Sequence, residues 1–375
     1  MLCKIMDRCG GCHYNHDNYP LSLEGKEKHI RELFPNENIE AIEGEWNPYY
    51  YRNKVHDAFA FDGREVIMGK YEEYTKNVLE IDSCLIEDTK AQEINATVKD
   101  LAKSFKWSIY DIDTKEGLLR GSLVRVGKSS KEILLVIIVT DSIITSSNNF
   151  VKAIKKIHPE ITSIVFNIND RDTSMIIGKK DLVAYGDGYI FDELLGLSFR
   201  ISPQSFYQVN SRMTEKLYKT ALKWGDFNED DTLVDAYCGI GTISLYASQF
   251  VKKVLGVESN PQAVKDAIYN SKHNKIKNTY FTAMDAGLYL QDLKANKVKV
   301  DGIIVDPARS GLDENAIKGL LDLQAEKIIY ISCNPYALKE DLEKLSEKYK
   351  VEKMKGFDMF PWTSHVETIA LIQKM

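Results

Sequence analysis

A thiol and a carboxylate near the carboxyl end of the chain have the types needed for covalent catalysis. The run KIIYIS reads as a strand that ends in Cys333, followed by Asn334 and Pro335, and the tail FPWTSHVETIALI places Glu367 two residues past His365. A cysteine at a strand lip supplies a nucleophile, because a thiolate attacks strongly even when only partly ionised. A glutamate brought to it by the next strand pair supplies a general base when burial raises its pKa toward neutrality. Taken singly, a free cysteine is more often a small buried hydrophobe, and Glu367 reads equally as a solvated charge opening the apolar run TIALI. His365 reads as support rather than as the base. The meaning of the pair therefore rests on the elements that precede it.

The segment TLVDAYCGIGTISLYAS reads as a buried strand (Thr232 to Tyr237), a glycine turn (Cys238 to Thr242) and a helix start. Glycines there let the backbone approach a ligand, and a helix start offers free N–H groups. A second apolar run, KKVLGVE, ends in Glu258, 17 residues past Gly241, where a dinucleotide-type fold sets an acid against ribose hydroxyls. The loop has neither the full G-x-G-x-x-G pattern nor the Lys-Ser/Thr of a P-loop, which favours a ribose ligand with little phosphate. S-adenosylmethionine fits that description. Cys238, inside the turn, reads as packing.

The pattern continues in order. TYFTAMDA supplies a third strand ending at Asp285, DGIIVDPARSG a fourth ending at Asp306-Pro307, KIIYISCNP a fifth ending at Cys333, and two more strand patterns close the chain. Strands alternating with helical stretches predict an α/β fold with a doubly wound, mainly parallel sheet. Tyr237, Glu258, Asp285, Asp306 and Cys333 then fall at the carboxyl ends of strands, where such sheets bind ligands.

Upstream, strand patterns such as EVIMGKY, SLVRVG, EILLVIIV and SIVFNIN, with helical stretches EINATVKDLAKSF and NNFVKAIKKI, predict an α+β domain. Turn residues between Gly186 and Gly196 place the boundary there, giving domains 1–195 and 196–375. Cys3, Cys9 and Cys12 are spaced C-x5-C-x2-C, and Cys84 follows in IDSCLIED. Four such thiols suggest a metal, and both zinc and an iron–sulfur cluster accept four cysteines. Structural zinc more often shows two C-x2-C pairs. The absence of a secretory leader argues against disulfides and for a cytoplasmic protein.

An apolar fraction of 44% supports sizeable cores, and no apolar run approaches membrane-span length. A formal net charge of −6 excludes a uniformly basic RNA-binding surface, so any phosphate contacts must be local. YYYRNK (Tyr49 to Lys54), Arg120, Arg125 and Lys128 form such a set, able to stack bases and hold phosphates.

The sequence resembles the RNA uracil carbon-5 methyltransferases, in particular the iron–sulfur ribosomal RNA type. The resemblance is carried by CKIMDRCGGC, YYRNK, IDSCLIED, SPQSFYQVN, DAYCGIGT, VDPARSG, ISCNP and MFPWTSHVE, which extend over nearly the whole chain. It implies a class I (Rossmann-like) methyltransferase domain following a cluster-bearing α+β domain. It implies S-adenosyl-L-methionine as donor, contacted by Gln208, Tyr237, Thr242, Glu258, Asp285 and Asp306, with Thr242 standing where the family often has Asn. It also implies that Cys333 adds to ring carbon 6 of uracil, that Glu367 removes the carbon-5 proton, and that Cys3, Cys9, Cys12 and Cys84 hold a 4Fe-4S cluster. The expected partner is RNA, 23S ribosomal RNA ahead of transfer RNA, with the target uridine flipped from its stack. No membrane and no obligate protein partner is expected. The small β-barrel RNA-binding domain that many members carry is expected to be missing, since Cys3 begins the chain. A cytosine carbon-5 methyltransferase, and a cluster-bearing RNA-binding or redox-sensing protein without turnover, are the alternative readings.

Overall fold

The computed structural model describes residues 3–172 and 175–375, and every count below refers to these residues. In chain order the first elements are α1 (Met6–Cys9), α2 (Tyr19–Leu33), β1 (Ile39–Glu43), β2 (Lys54–Phe61), β3 (Val66–Tyr71), β4 (Val78–Glu80) and α3 (Thr89–Ser104). Then come β5 (Leu119–Val126), β6 (Ile133–Val139), α4 (Ser147–Ile157), β7 (Ile161–Ile168), β8 (Lys180–Tyr185), β9 (Ile190–Leu194), β10 (Leu197–Ile201) and α5 (Ser211–Gly225). The alternating region holds β11 (Thr232–Ala236), α6 (Thr242–Ala247), β12 (Lys253–Glu258), α7 (Pro261–His273), β13 (Thr279–Ala283), α8 (Ala286–Ala295) and β14 (Gly302–Val305). The last elements are α9 (Glu314–Leu323), β15 (Lys327–Ser332), α10 (Pro335–Leu345), β16 (Tyr349–Phe357) and β17 (Glu367–Lys374).

These elements form two compact units, but the units are not consecutive in sequence. The first comprises residues 1–17, 48–193 and 200–204, and the second 18–47, 194–199 and 205–375. The division at 195/196 is thus corrected mainly at residues 18–47, which belong with the carboxyl-terminal unit, and near the boundary itself, where 194–195 join the second unit and 200–204 the first. The reason is pairing, since β1 lies parallel to β16 through Ile39 against Met354 and Glu43 against Phe357. Asn18 starts α2 by accepting from the Leu21 N–H at 3.1 Å, with Pro20 in the first turn.

In the second unit the sheet order is β1-β16-β17-β15-β14-β11-β12-β13. β11 pairs parallel with both β12 and β14, and the strand order reverses across this pair. β14, with all four residues buried, and β15, with five of six, read as continuous apolar runs because helices cover both faces. β17 runs antiparallel to β15 and β16. That reversal brings the amino end of β17 to the edge where β11, β12, β14 and β15 present their carboxyl ends.

The first unit holds a seven-stranded sheet, β4-β3-β2-β5-β6-β7-β8. It is antiparallel except for β6 and β7, which α4 connects as a parallel pair. α3 and α4 cover one face through Ile94, Val98, Phe150 and Ile154, packed on Val55, Leu135 and Ile137. This matches the α+β pattern read from the sequence.

Candidate active site

The turn after β11 leaves regular structure at once. Tyr237 has φ of 68°, Gly239 53° and Gly241 86°, and a left-handed conformation at a bulky tyrosine is a strained feature of the kind found at ligand sites. The turn is held because the Cys238 N–H donates to the Val257 carbonyl (3.0 Å) and the Gly241 N–H to the Cys238 carbonyl (2.8 Å). A Cβ on Gly239 would meet no protein atom, so the backbone there is open to a ligand, whereas one on Gly241 would press on Leu245 and Phe281. Cys238 is buried, and its sulfur lies where a Cβ on Gly256 would stand 3.1 Å away, a packing position.

Glu258 ends β12 beside this turn. Its Oε2 accepts from the Gly239 N–H (3.3 Å) and its Oε1 from the Asn260 N–H (2.8 Å). Both carboxylate oxygens thus accept backbone N–H groups, one in the glycine turn and one at the residue that caps α7. Thr242 Oγ1 is hydrogen-bonded to Tyr218 Oη at 3.1 Å.

On the other side of the strand reversal, Cys333 stands just beyond β15 in a tight turn. The Asn334 N–H donates to Ser332 Oγ (3.1 Å) and Ser332 Oγ donates back to the Asn334 carbonyl (3.0 Å). Asn334 also caps α10 by accepting from the Tyr336 N–H (3.2 Å), and its amide donates to the Arg309 carbonyl (2.9 Å). This ties the Asp306–Arg309 loop to the cysteine turn. The Arg309 guanidinium donates to His365 Nδ1 at 3.3 Å, joining both to the segment before β17.

One cavity of about 480 Å³ is lined by Gln208, Tyr237, Thr242, Glu258, Asp306, Cys333 and Glu367. Its volume suits a small-molecule site. Asp285 is not among the lining residues; it sits beyond β13 and caps α8, accepting from the Leu288 N–H at 2.9 Å. Asp235, Arg309, Phe206 and Phe360 also line the cavity and were not singled out from the sequence. Asp235 lies within the very motif DAYCG, but as a mid-strand residue it reads as core.

Burial governs the electrostatics. It pushes the Asp235 carboxyl up to about 7, against the Ser244 hydroxyl that donates to Oδ2 at 2.5 Å, and Oδ1 has no hydrogen-bond partner among the described residues. Asp306 is raised by burial and then by Asp235, and Glu367 by burial and then by Asp306. Burial, with Glu367 and Asp306 adding, lifts the Cys333 thiol to about 11, while Arg309 opposes the rise. Two buried carboxyls, Asp235 and Glu367, and the partly buried Asp306 share the cavity, so a cationic ligand there would favour their ionised forms.

In the first unit, Cys3, Cys9, Cys12 and Cys84 line a separate pocket of about 220 Å³ together with Arg52, Lys70 and Glu87. Cys84 is fixed by an amide clamp: its N–H donates to Gln92 Oε1 (2.7 Å) and Gln92 Nε2 donates to its carbonyl (2.8 Å). Burial pushes the Cys12 thiol up to about 12 and raises Cys9 and Cys84 as well, with Arg52 opposing at Cys12. Among the described residues no group of three or more His, Cys, Asp or Glu is arranged to hold a single metal ion. The four cysteines share this one pocket, and that shared lining is all that bears on a metal there.

The basic residues expected to meet RNA are largely engaged within the first unit. Tyr51 is buried, Arg52 lines the cysteine pocket, and Arg125 is buried with a bond to the Pro203 carbonyl at 3.4 Å. Arg120 donates to the Asn169 and Arg171 carbonyls at 2.8 Å each, and Lys128 pairs with Asp88 at 2.5 Å.

The sequence pattern of the tRNA (uracil-5-)-methyltransferase family matches residues 18–375. The chain belongs to that family. It is 39% identical over 376 residues to an uncharacterized RNA methyltransferase of Staphylococcus aureus (strain COL), covering 98% of this chain and 83% of the relative. A Staphylococcus epidermidis (strain ATCC 12228 / FDA PCI 1200) RNA methyltransferase is 39% identical, with 98% and 82% covered. The structure of Pyrococcus abyssi tRNA (uracil-54, C5)-methyltransferase, in complex with S-adenosyl-L-homocysteine, superposes with a TM-score of 0.78 at 25% identity, covering 95% of this chain and 83% of that one. The protein is therefore an S-adenosylmethionine-dependent RNA methyltransferase with the class I fold. The family match begins after Cys3, Cys9 and Cys12 and includes Cys84. No helix of the methyltransferase is long and apolar enough to cross a membrane among the described residues.

Proposed function

We propose that this methyltransferase modifies carbon 5 of a uridine in RNA through a covalent Cys333 adduct, with Glu367 as the base that resolves it. The observation that carries this reading is the placement of Cys333 and Glu367 on one cavity with the glycine turn and Glu258. When bound, S-adenosylmethionine supplies an electrophilic methyl group on a sulfonium. Gln208, Tyr237, Thr242, Glu258 and Asp306 would hold the donor, and Asp285, which caps α8 outside the cavity lining, would lie at its adenine side. Carbon 5 of uracil is a poor nucleophile. Cys333, as the thiolate, would overcome this by bonding to carbon 6, which moves an electron pair onto the ring as an enolate; carbon 5 would then attack the methyl group, breaking the sulfonium S–CH3 bond and releasing the donor as the neutral thioether. Glu367 then takes the remaining carbon-5 proton, the electron pair restores the ring double bond, and the sulfur leaves. Arg309 supplies the positive charge that favours a thiolate in a cavity otherwise rich in carboxyls.

Cys3, Cys9, Cys12 and Cys84 would hold a 4Fe-4S cluster, a structural group that orders the amino-terminal segment. The RNA is ribosomal in the first reading. Transfer RNA is the second, favoured by the likeness to the Pyrococcus abyssi tRNA enzyme. The deciding experiment supplies labelled S-adenosylmethionine with ribosomal and transfer RNA separately and analyses the nucleosides. 5-Methyluridine in one pool identifies the substrate; 5-methylcytidine, or no label in either pool from protein that binds the donor, defeats the proposal.

A further inference from the structure

We propose that Lys26 is a positioning residue for methyl transfer, its buried bridge setting the loop that delivers Phe360 and Glu367 to the reaction cavity. The inference rests on the reading of Glu367 as the base. Lys26 lies on α2 with its side chain wholly enclosed, as is that of Asp358. Its ammonium donates to Asp358 Oδ1 at 2.5 Å and to the Phe360 carbonyl at 3.0 Å. Tyr19, two turns earlier on the same face of the helix, donates to Asp358 Oδ2 at 2.6 Å and accepts from the Glu45 N–H at 2.8 Å. The Tyr19 ring packs on Trp362 at 5.3 Å between centroids, and Trp362 is buried with φ of 71°.

The segment between β16 and β17 is thus pinned from α2, and Asn210 holds it from α5 by donating to the Met359 carbonyl at 3.2 Å. Within the segment, Thr363 Oγ1 donates to the Phe360 carbonyl (2.8 Å) and accepts from the His365 N–H (3.1 Å). Phe360 and Glu367 are the residues this segment and the start of β17 give to the cavity. A buried ion pair is a weak source of stability, since two apolar side chains of similar volume commonly serve as well. What apolar side chains lack is direction. An ammonium shared by a carboxylate and a backbone carbonyl fixes the path of the loop that carries Phe360 and leads into β17, and so refines the placement of a base whose backbone the strand pairing already holds; small misplacements of a reacting group cost up to about 100-fold in rate.

The test replaces the pair by apolar residues, Lys26→Met with Asp358→Leu, and measures melting temperature, kcat, KM for donor and RNA, and the fraction of enzyme trapped as RNA adduct. The proposal expects a folded protein, KM values within about 3-fold, kcat lowered about 10- to 100-fold, and accumulated adduct because proton removal is slowed. A folded double variant with wild-type kcat overturns it. Should that variant fail to fold, Tyr19→Phe, which removes the bonds of the hydroxyl to Asp358 and from the Glu45 N–H and keeps the ring on Trp362, decides: a fall in kcat of about 2- to 10-fold at constant KM supports the proposal, and an unchanged kcat overturns it. Glu367→Gln is run alongside. Full turnover by that variant defeats the base assignment itself, whereas its inactivity beside an active double variant defeats only the role of Lys26.

Discussion

Cys333 and Glu367 occupy opposing positions one residue beyond the last paired rung of two antiparallel strands, Ser332 against Thr368. The proposed nucleophile leaves β15 where the proposed base enters β17. Because β17 is reversed relative to its neighbours, the start of one strand and the end of the other meet at the ligand edge of the sheet, and no long loop is needed to bring them together. Rigid strands hold both groups, which suits a reaction that must attack one ring carbon and deprotonate its neighbour.

Removing the sulfur removes the first of these steps. Cys333→Ala is expected to lower turnover by at least about 10³-fold and to abolish any RNA–protein adduct on denaturing gels, while donor binding stays within about 2-fold. Donor binding is expected to hold because the glycine turn and Glu258 follow β11 and β12, whereas Cys333 follows β15; methylation by this variant at an appreciable rate would remove the covalent route.

Glu367→Gln separates the two halves of the reaction. The amide cannot accept the carbon-5 proton, yet it leaves Cys333 free to add. The expected outcome is turnover reduced about 10²- to 10⁴-fold together with a persistent methylated adduct. Loss of turnover without adduct would instead place Glu367 before the addition step.

Much of this unit was readable from residue order. β14 and β15 are buried on both faces and appear as unbroken apolar runs, and each ends in the polar residue that the cavity uses, Asp306 or Cys333. Two matters were hidden. The partner of β1 is set by tertiary pairing of Ile39 with Met354, which no local pattern announces. Side-chain partners are equally invisible: Arg52, Arg125 and Lys128 read as free cations, but the fold spends them on the cysteine pocket, the Pro203 carbonyl and Asp88. Asp285 illustrates the limit of resemblance, since the strand end was placed well while its carboxylate caps α8.

The buried carboxyls give the protein without ligand a defined pH dependence. Asp235 is raised by burial from an ordinary value of 3.8 to about 7, with Glu258 adding in the same direction. A carboxyl raised on folding favours the folded state below its unfolded value near 4, and that advantage is lost as pH rises through about 7. Asp306 and Glu367, also raised, act with the same sign. Asp235→Asn keeps the Ser244 hydroxyl partnered without a charge to bury, so it should be more stable than wild type at pH 8, by up to about 4 kcal/mol, and lose this advantage at pH 4. Thermal melts of both proteins across that range check it; parallel curves would show that the Asp235 charge is already neutralised by a partner.

The cysteine pocket makes a prediction independent of methyl transfer. Binding to a metal requires thiolates, and burial raises the thiols of Cys9, Cys12 and Cys84, so loading must release protons and must fall steeply at low pH. Cys84 is the distant member of the set, and its backbone is held on both sides by the Gln92 amide whatever side chain it carries. Cys84→Ser should therefore fold yet lose most of its iron and its visible charge-transfer absorbance after anaerobic purification. Cys238→Ser, altering a sulfur that packs beside Gly256 in the other unit, should keep both. Equal iron in the wild type and Cys84→Ser would strike Cys84 from the ligand set, and zinc in place of iron in the wild type would replace the cluster by a different metal.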